Sequence, residues 1–210
     1  MKFMIPGGKK TCRFSDSATQ ATASHRTGGN GARYVSGKSF GLALALAFGL
    51  ALPSFRASAA RQLSIEVGPS YMDCASASAV FIEGVFDERR IGTSRLTWSP
   101  DVSVGWIDGR DVERYRYRRY QTTDSVWLIA GGARIHYGDD TSWYRPLFFS
   151  FQPAMHSGRT QALSSAYEFV STLGWQGRHV NFQIRHISNG SLHEPNRGET
   201  MVLIGAAFDL

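Results

Sequence analysis

The chain has 210 residues, 42% hydrophobic and 19% charged, with a formal net charge of +6 and two cysteines. The charge is unevenly placed: through Ala60 there are 8 Lys and Arg against 1 acidic residue, a net of +7, whereas residues 61–210 hold 15 Arg against 16 Asp and Glu, a net of −1. A basic nucleic-acid face is therefore excluded for the body of the chain. So is a disulfide scaffold, since Cys12 falls in the basic leader and Cys74 stands alone after it.

Residues 40–53 form a 14-residue apolar run followed by Ala57-Ser58-Ala59-Ala60. The run is short for a membrane helix but suits the apolar region of a secretory signal with a small-residue cleavage site. The pattern predicts a leader and cleaved signal peptide over 1–60, with cleavage near Ala59 or Ala60. The stretch before the apolar run is long for a signal and has no periodicity, so translation is expected to begin nearer Val35.

Residues 61–210 carry no further apolar run of helix-spanning length; they carry alternation. Apolar and polar residues alternate in eight segments bounded by Gly, Asp, Asn, Pro and Arg, predicting strands over 62–72, 78–87, 94–106, 125–137, 146–155, 161–175, 179–188 and 200–210. One face presents Leu63, Ile65, Val67 and Tyr71 in the first strand and Trp127, Ile129, Ile135 and Tyr137 in the fourth. Leu147, Phe149 and Phe151 follow in the fifth, then Tyr167, Phe169, Leu173 and Trp175 in the sixth. The other face carries Glu66, Glu83, Arg134, His136, Glu168 and Arg185.

Eight strands of this length suit the smallest membrane barrels, whose interior is just filled by side chains. The expected fold class is all-β, an eight-stranded antiparallel transmembrane β-barrel of the Gram-negative outer membrane over 61–210. Its charged residues would pair inside, and its apolar residues would meet lipid. Trp98, Trp106, Tyr137, Trp143, Tyr144 and Trp175, near strand ends, fit interfacial girdles. A soluble barrel carrier would need the two faces reversed. Within 111–121, Arg114, Arg116, Arg118 and Arg119 interleave with Tyr115, Tyr117 and Tyr120. That stretch reads as a solvated connection, with a basic aromatic rim for lipid phosphates as the alternative.

The seventh strand ends in His186-Ile187-Ser188-Asn189-Gly190-Ser191-Leu192. Residues i and i+2 of a strand point to one side, so the His186 imidazole is within reach of the Ser188 hydroxyl, a base beside a nucleophile. Val180, Phe182 and Ile184 share that face, while Asn181, Gln183 and Arg185 take the other. A hydrolase built this way would meet its substrate in the membrane. Asn189, Gly190 and Ser191 follow as oxyanion donors, through the Asn189 amide and the backbone N–H groups. His136, His156, His179 and His193 show no metal-ligand spacing, and no phosphate loop or dinucleotide fingerprint occurs, so neither metal nor cofactor is expected.

The block from His186 to Leu192, with Pro195-Asn196-Arg197-Gly198-Glu199 and the short final strand, resembles the PagL-type lipid A 3-O-deacylases. The remainder agrees with them in length and pattern only. The resemblance implies hydrolysis of the ester-linked 3-hydroxyacyl chain at position 3 of lipid A by a Ser-His-Glu triad, with Ser188 as nucleophile and His186 as base. Glu199 is the first choice for the acid and Glu194 the second. Strict alternation sets Glu199 opposite the apolar face, so a bulge would be needed to aim it at His186. Two departures stand out: Ser191 occupies a place where the family usually has a smaller residue, often Gly, and the last strand ends on Leu210 rather than an aromatic. The implied partners are lipid A or lipopolysaccharide and outer-membrane lipids, with room for a homodimer. The competing readings are a non-enzymatic barrel and a barrel phospholipase or acyltransferase.

Overall fold

The computed structural model describes residues 60–73, 75–110 and 120–210. The leader, Cys74 and most of the Arg/Tyr-rich stretch lie outside the described residues. Ala57–Leu210 forms one compact unit. Among the described residues the elements are all strands: β1 (Gln62–Met72), β2 (Ala75–Val85), β3 (Arg89–Arg90), β4 (Leu96–Ile107), β5 (Val126–Tyr137), β6 (Leu147–His156), β7 (Tyr167–Gln176), β8 (Val180–Ser188) and β9 (Glu199–Asp209). Every neighbouring pair is antiparallel, and the sheet runs β2-β1-β9-β8-β7-β6-β5-β4 before β4 returns to pair with β2. That last pairing closes an eight-stranded barrel and leaves no free edge. The two-residue β3 is an appendage on β4.

The wall is polar inside and apolar outside, as in a barrel that sits in lipid. Val67, Ile129, Phe149, Leu173, Phe182, Ile184, Val202 and Ile204 are exposed on the outer surface, whereas Glu66, Glu83, Asp101, Arg134, Gln152, Glu168, Gln183 and Arg185 are buried in the lumen. The interior charges are knitted together. Arg134 reaches Glu83 at 2.8 Å and Asp101 at 3.8 Å, and Arg185 reaches Glu83 at 3.3 Å. Gln183 and Asn181 donate to Glu66 at 3.4 and 3.1 Å. Both guanidiniums also lie over aromatic faces, Arg134 over Phe148 at 3.9 Å and Arg185 over Phe81 at 4.4 Å.

One lumenal layer was not anticipated. Toward the end of the barrel where β8 finishes, Met72, Ile107, Val126, Leu163, Val170, Ile187 and Met201 belong to one buried apolar cluster. It lies beside the charged network, so the lumen is stratified rather than uniformly polar. The strand expected over 161–175 is also shorter than its apolar pattern suggested. It begins at Tyr167, and Ala162 and Leu163 instead fold inward as part of a loop. Aromatic residues mark both ends of the wall. Tyr137 stacks on Tyr144 at 5.9 Å with Trp143 edge-on at 5.5 Å, and Trp106 faces Trp127 across β4 and β5 near the opposite end.

Candidate active site

Alternation along β8 is unbroken. Val180, Phe182, Ile184 and His186 point outward, and Asn181, Gln183, Arg185 and Ile187 point into the lumen. Ser188 ends the strand half-buried on the outward parity. His186 and Ser188 therefore share the outer face, as the spacing predicts. The register continues this face onto β7, where Ser171 lies opposite His186 and Phe169 opposite Ser188. Phe169 stacks on Phe151 at 5.7 Å and meets Tyr167 edge-on at 6.3 Å, giving an aromatic surface next to the serine.

The imidazole has one defined partner: His186 Nδ1 lies 2.9 Å from Thr200 Oγ1, on the residue directly opposite it in β9. The other edge of the ring faces Gly198. A methyl group placed on Gly198 would meet His186 Cε1 at 3.1 Å and Nε2 at 3.5 Å. Extending the β8–β9 register by one step sets Gly198 across from Ser188, so Nε2 is turned toward the serine end of the strand. No hydrogen bond joins His186 to Ser188 among the described residues. Catalytic hydrogen bonds are often long before substrate binds and tighten in the complex.

Glu199 is placed elsewhere. The β8–β9 register runs without a bulge from Val180↔Ala206 to Ile187↔Glu199, so Glu199 keeps the lumenal parity of Met201. It is 2% exposed, inside the wall, while His186 stands outside it. Its two oxygens accept from the Arg110 fork, Oε1 from Nη1 at 2.6 Å and Oε2 from Nη2 at 2.7 Å, and the Ser70 hydroxyl also donates to Oε2. Arg110 in turn donates to the Ser70 carbonyl at 2.9 Å. The structure thus does not bring the expected triad acid to the base, because no bulge reverses its parity. Glu194, the second choice, is exposed in the β8–β9 loop, where its carboxylate accepts from the Asn196 N–H at 3.2 Å. Sequence reasoning missed both Thr200 and Arg110. Counting across an assumed β8–β9 hairpin register would have found Thr200; nothing local marks Arg110, which comes from the distant β4–β5 connection.

The oxyanion candidates occupy the turn that follows. Asn189 is buried and its amide donates to the His193 carbonyl at 2.9 Å, while its own N–H donates to Asn196 Oδ1 at 3.4 Å. Its side chain is therefore engaged within the loop. Gly190 and Ser191 both adopt left-handed backbone, with φ of 64° and 61°, and their N–H groups donate to nothing among the described residues. The loop is anchored to its neighbours: the N–H groups of Arg197 and Gly198 donate to the carbonyls of Gln161 and Ala162 at 3.3 and 3.1 Å. The Tyr120 hydroxyl lies 3.2 Å from His193 Nε2, and Arg197 pairs with Asp73 at 3.1 Å. Among the described residues no group of His, Cys, Asp and Glu could hold a metal ion.

No protein-family model and no curated protein sequence matches the chain. Among solved structures it is similar to the crystal structure of the outer membrane enzyme PagL, at 16% identity over 71% of this chain and 99% of that one, with a TM-score of 0.48. The closed barrel described above stands on this chain's own strand register.

Proposed function

We propose that this chain is an outer-membrane lipid esterase, a lipid A 3-O-deacylase, exported by its leader over 1–60 and inserted as the barrel of 61–210. The observation that carries the reading is the placing of a base and a hydroxyl, His186 and Ser188, on the apolar outer face of a barrel wall. There a lipid ester is the substrate within reach. Ser188 Oγ attacks the ester carbonyl at position 3 of lipid A and His186 Nε2 takes its proton. The carbon–oxygen bond to the sugar breaks as His186 returns the proton to the leaving oxygen. Water, activated by the same imidazole, then cleaves the acyl-enzyme, releasing the 3-hydroxy fatty acid and restoring Ser188. The N–H groups of Gly190 and Ser191, which donate to nothing among the described residues, are the better oxyanion donors, since the Asn189 amide already donates to the His193 carbonyl. The acyl chain lies along Phe169, Phe151 and Tyr167. Glu199, held by Arg110 inside the wall, has no part in this machinery.

One observation favours the competing reading of a non-enzymatic barrel: among the described residues the His186 ring bonds a threonine hydroxyl and no carboxylate. Mass spectrometry of lipid A from Gram-negative cells expressing the chain or Ser188→Ala at equal outer-membrane abundance separates the two. Loss of one 3-hydroxyacyl group with the unaltered chain alone is the expected result. Lipid A unchanged by both proteins, in cells and with purified lipid A in detergent, would sink the enzymatic reading.

A further inference from the structure

A serine esterase needs its base held in one tautomer, with Nδ1–H bonded so that the Nε2 lone pair faces the nucleophile. The groups around His186 are few. Thr200 faces it from β9, Ser171 from β7, and Ile184 and Ser188 flank it along β8. Tyr71 of β1 lies beyond Thr200, and Gly198 packs on the ring. Among the described residues this set holds one titratable side chain, the Tyr71 phenol, and no carboxylate, guanidinium or ammonium group. Of the two acids that follow it in the chain, Glu194 is exposed in the β8–β9 loop, where it accepts from the Asn196 N–H, and Glu199 has both oxygens committed to Arg110 on the opposite side of the wall.

We infer that Thr200 is the positioning residue for the His186 base, so that the site works as a Ser188–His186 pair oriented by a neutral hydroxyl rather than by a carboxylate. The inference rests on the esterase reading above. With Nδ1–H donating to Thr200 Oγ1, the Nε2 lone pair points to the Ser188 end of the strand, as the Gly198 contact requires. When Nε2 accepts the serine proton, the imidazolium is met by a dipole instead of a negative charge. The hydroxyl supplies the tautomer and the aim, and less of the charge stabilisation, since hydrogen bonds to ionised acceptors are roughly twice as strong as neutral ones.

The test uses the barrel purified in detergent micelles with lipid A as substrate. Thr200→Val should lower kcat about five- to tenfold, the worth of one neutral hydrogen bond, with KM within about twofold. Thr200→Ser, which keeps the hydroxyl, should restore kcat. Thr200→Glu should move the acid limb of the kcat/KM profile upward by about one pH unit, because a nearby carboxylate favours the protonated ring. Nitrogen-15 spectra of the His186 ring give a readout that needs no turnover: Nδ1 protonated and Nε2 bare in the unaltered chain and in Thr200→Ser, with that preference lost in Thr200→Val. Unchanged kcat and an unchanged ring spectrum in Thr200→Val would overturn the inference. An unaltered chain no more active than Ser188→Ala would instead overturn the esterase reading, while the ring spectra would still decide whether Thr200 holds the imidazole.

Discussion

Replacing Glu199 with Gln separates a structural role from a catalytic one. In the structure its carboxylate takes two charge-assisted hydrogen bonds, at 2.6 and 2.7 Å, from an Arg110 that is itself only 7% exposed. Neutralising it leaves a buried guanidinium without its counter-charge, and breaking such a pair from one side costs about 3–5 kcal/mol. Asp108 and Asp124 line the same small cavity as Arg110 and Glu199, so a reoriented guanidinium has other carboxylates at hand. The expected loss therefore lies at the lower end, about 3 kcal/mol. Denaturant unfolding of the barrel in phospholipid vesicles, followed by tryptophan fluorescence, measures it. Adding Arg110→Gln to Glu199→Gln should recover a substantial part of the loss, because the stranded charge is gone and the two effects are coupled rather than additive. Turnover per folded molecule should stay within about threefold of the unaltered chain, whereas disabling a triad carboxylate costs on the order of 10⁴ in kcat. A fall of 10³ or more in a barrel with its fold intact would refute the structural assignment and return Glu199 to the site.

Gly198→Ala is expected to damage catalysis more than the fold. Its Cβ would meet the Ile187 carbonyl oxygen at 3.0 Å and the imidazole at 3.1 Å, from a backbone with φ of 66°. The left-handed strain costs about 1–2 kcal/mol, while displacing the ring should lower kcat at least about tenfold; thermal unfolding and ester hydrolysis on the same preparation read the two effects. Ser191→Gly should do the opposite, raising stability by about 0.5–1 kcal/mol by relieving a side chain at φ 61° while keeping the N–H. Loss of turnover in this variant, with turnover kept in Ser188→Ala, would make Ser191 the nucleophile in place of Ser188.

The wall of the barrel could be read from the chain because period-two alternation is a local property. The first strand begins and ends where its pattern does, and the lipid-facing and lumenal sides of β1, β5, β6, β7 and β8 fall as alternation assigns them. The apolar layer of the lumen was hidden by the same logic. In Val126-Trp127-Leu128-Ile129 both parities are apolar: alternation puts Trp127 and Ile129 outside and so Val126 and Leu128 inside, but an inner face recognised by its charged residues gives no sign that apolar ones gather there as a layer. Ala162 and Leu163 looked like the start of a strand because burial in a loop leaves the same apolar trace as burial in a sheet. Their loop is held by the Arg197 and Gly198 N–H groups, donors from a segment more than thirty residues away.

At the site, the placing of His186 and Ser188 on one face needed only the i, i+2 rule, but which residue meets the imidazole from β9 needed the register between two strands. A single step along β9 exchanges Thr200 for Glu199, and with it the outside of the wall for the inside. The sequence already set Glu199 on the parity of Met201, so the carboxylate could serve His186 only through a bulge; the unbroken ladder from Val180↔Ala206 to Ile187↔Glu199 removes that route. The register decides which of the two faces His186, and the surroundings of each suit its chemistry. Arg110, packed over the apolar layer with Met72 and Leu163 beside it, gives the carboxylate a partner in the lumen that the lipid-facing surface does not offer. The threonine, whose hydroxyl is content with a neutral donor, can stand on the outer face where an ionised group would be costly. A barrel that places its base in contact with lipid is on this argument pushed toward a neutral orienting group unless solvent or headgroups reach it, and the depth of His186 relative to the lipid headgroups becomes the variable that fixes how much a carboxylate there could contribute.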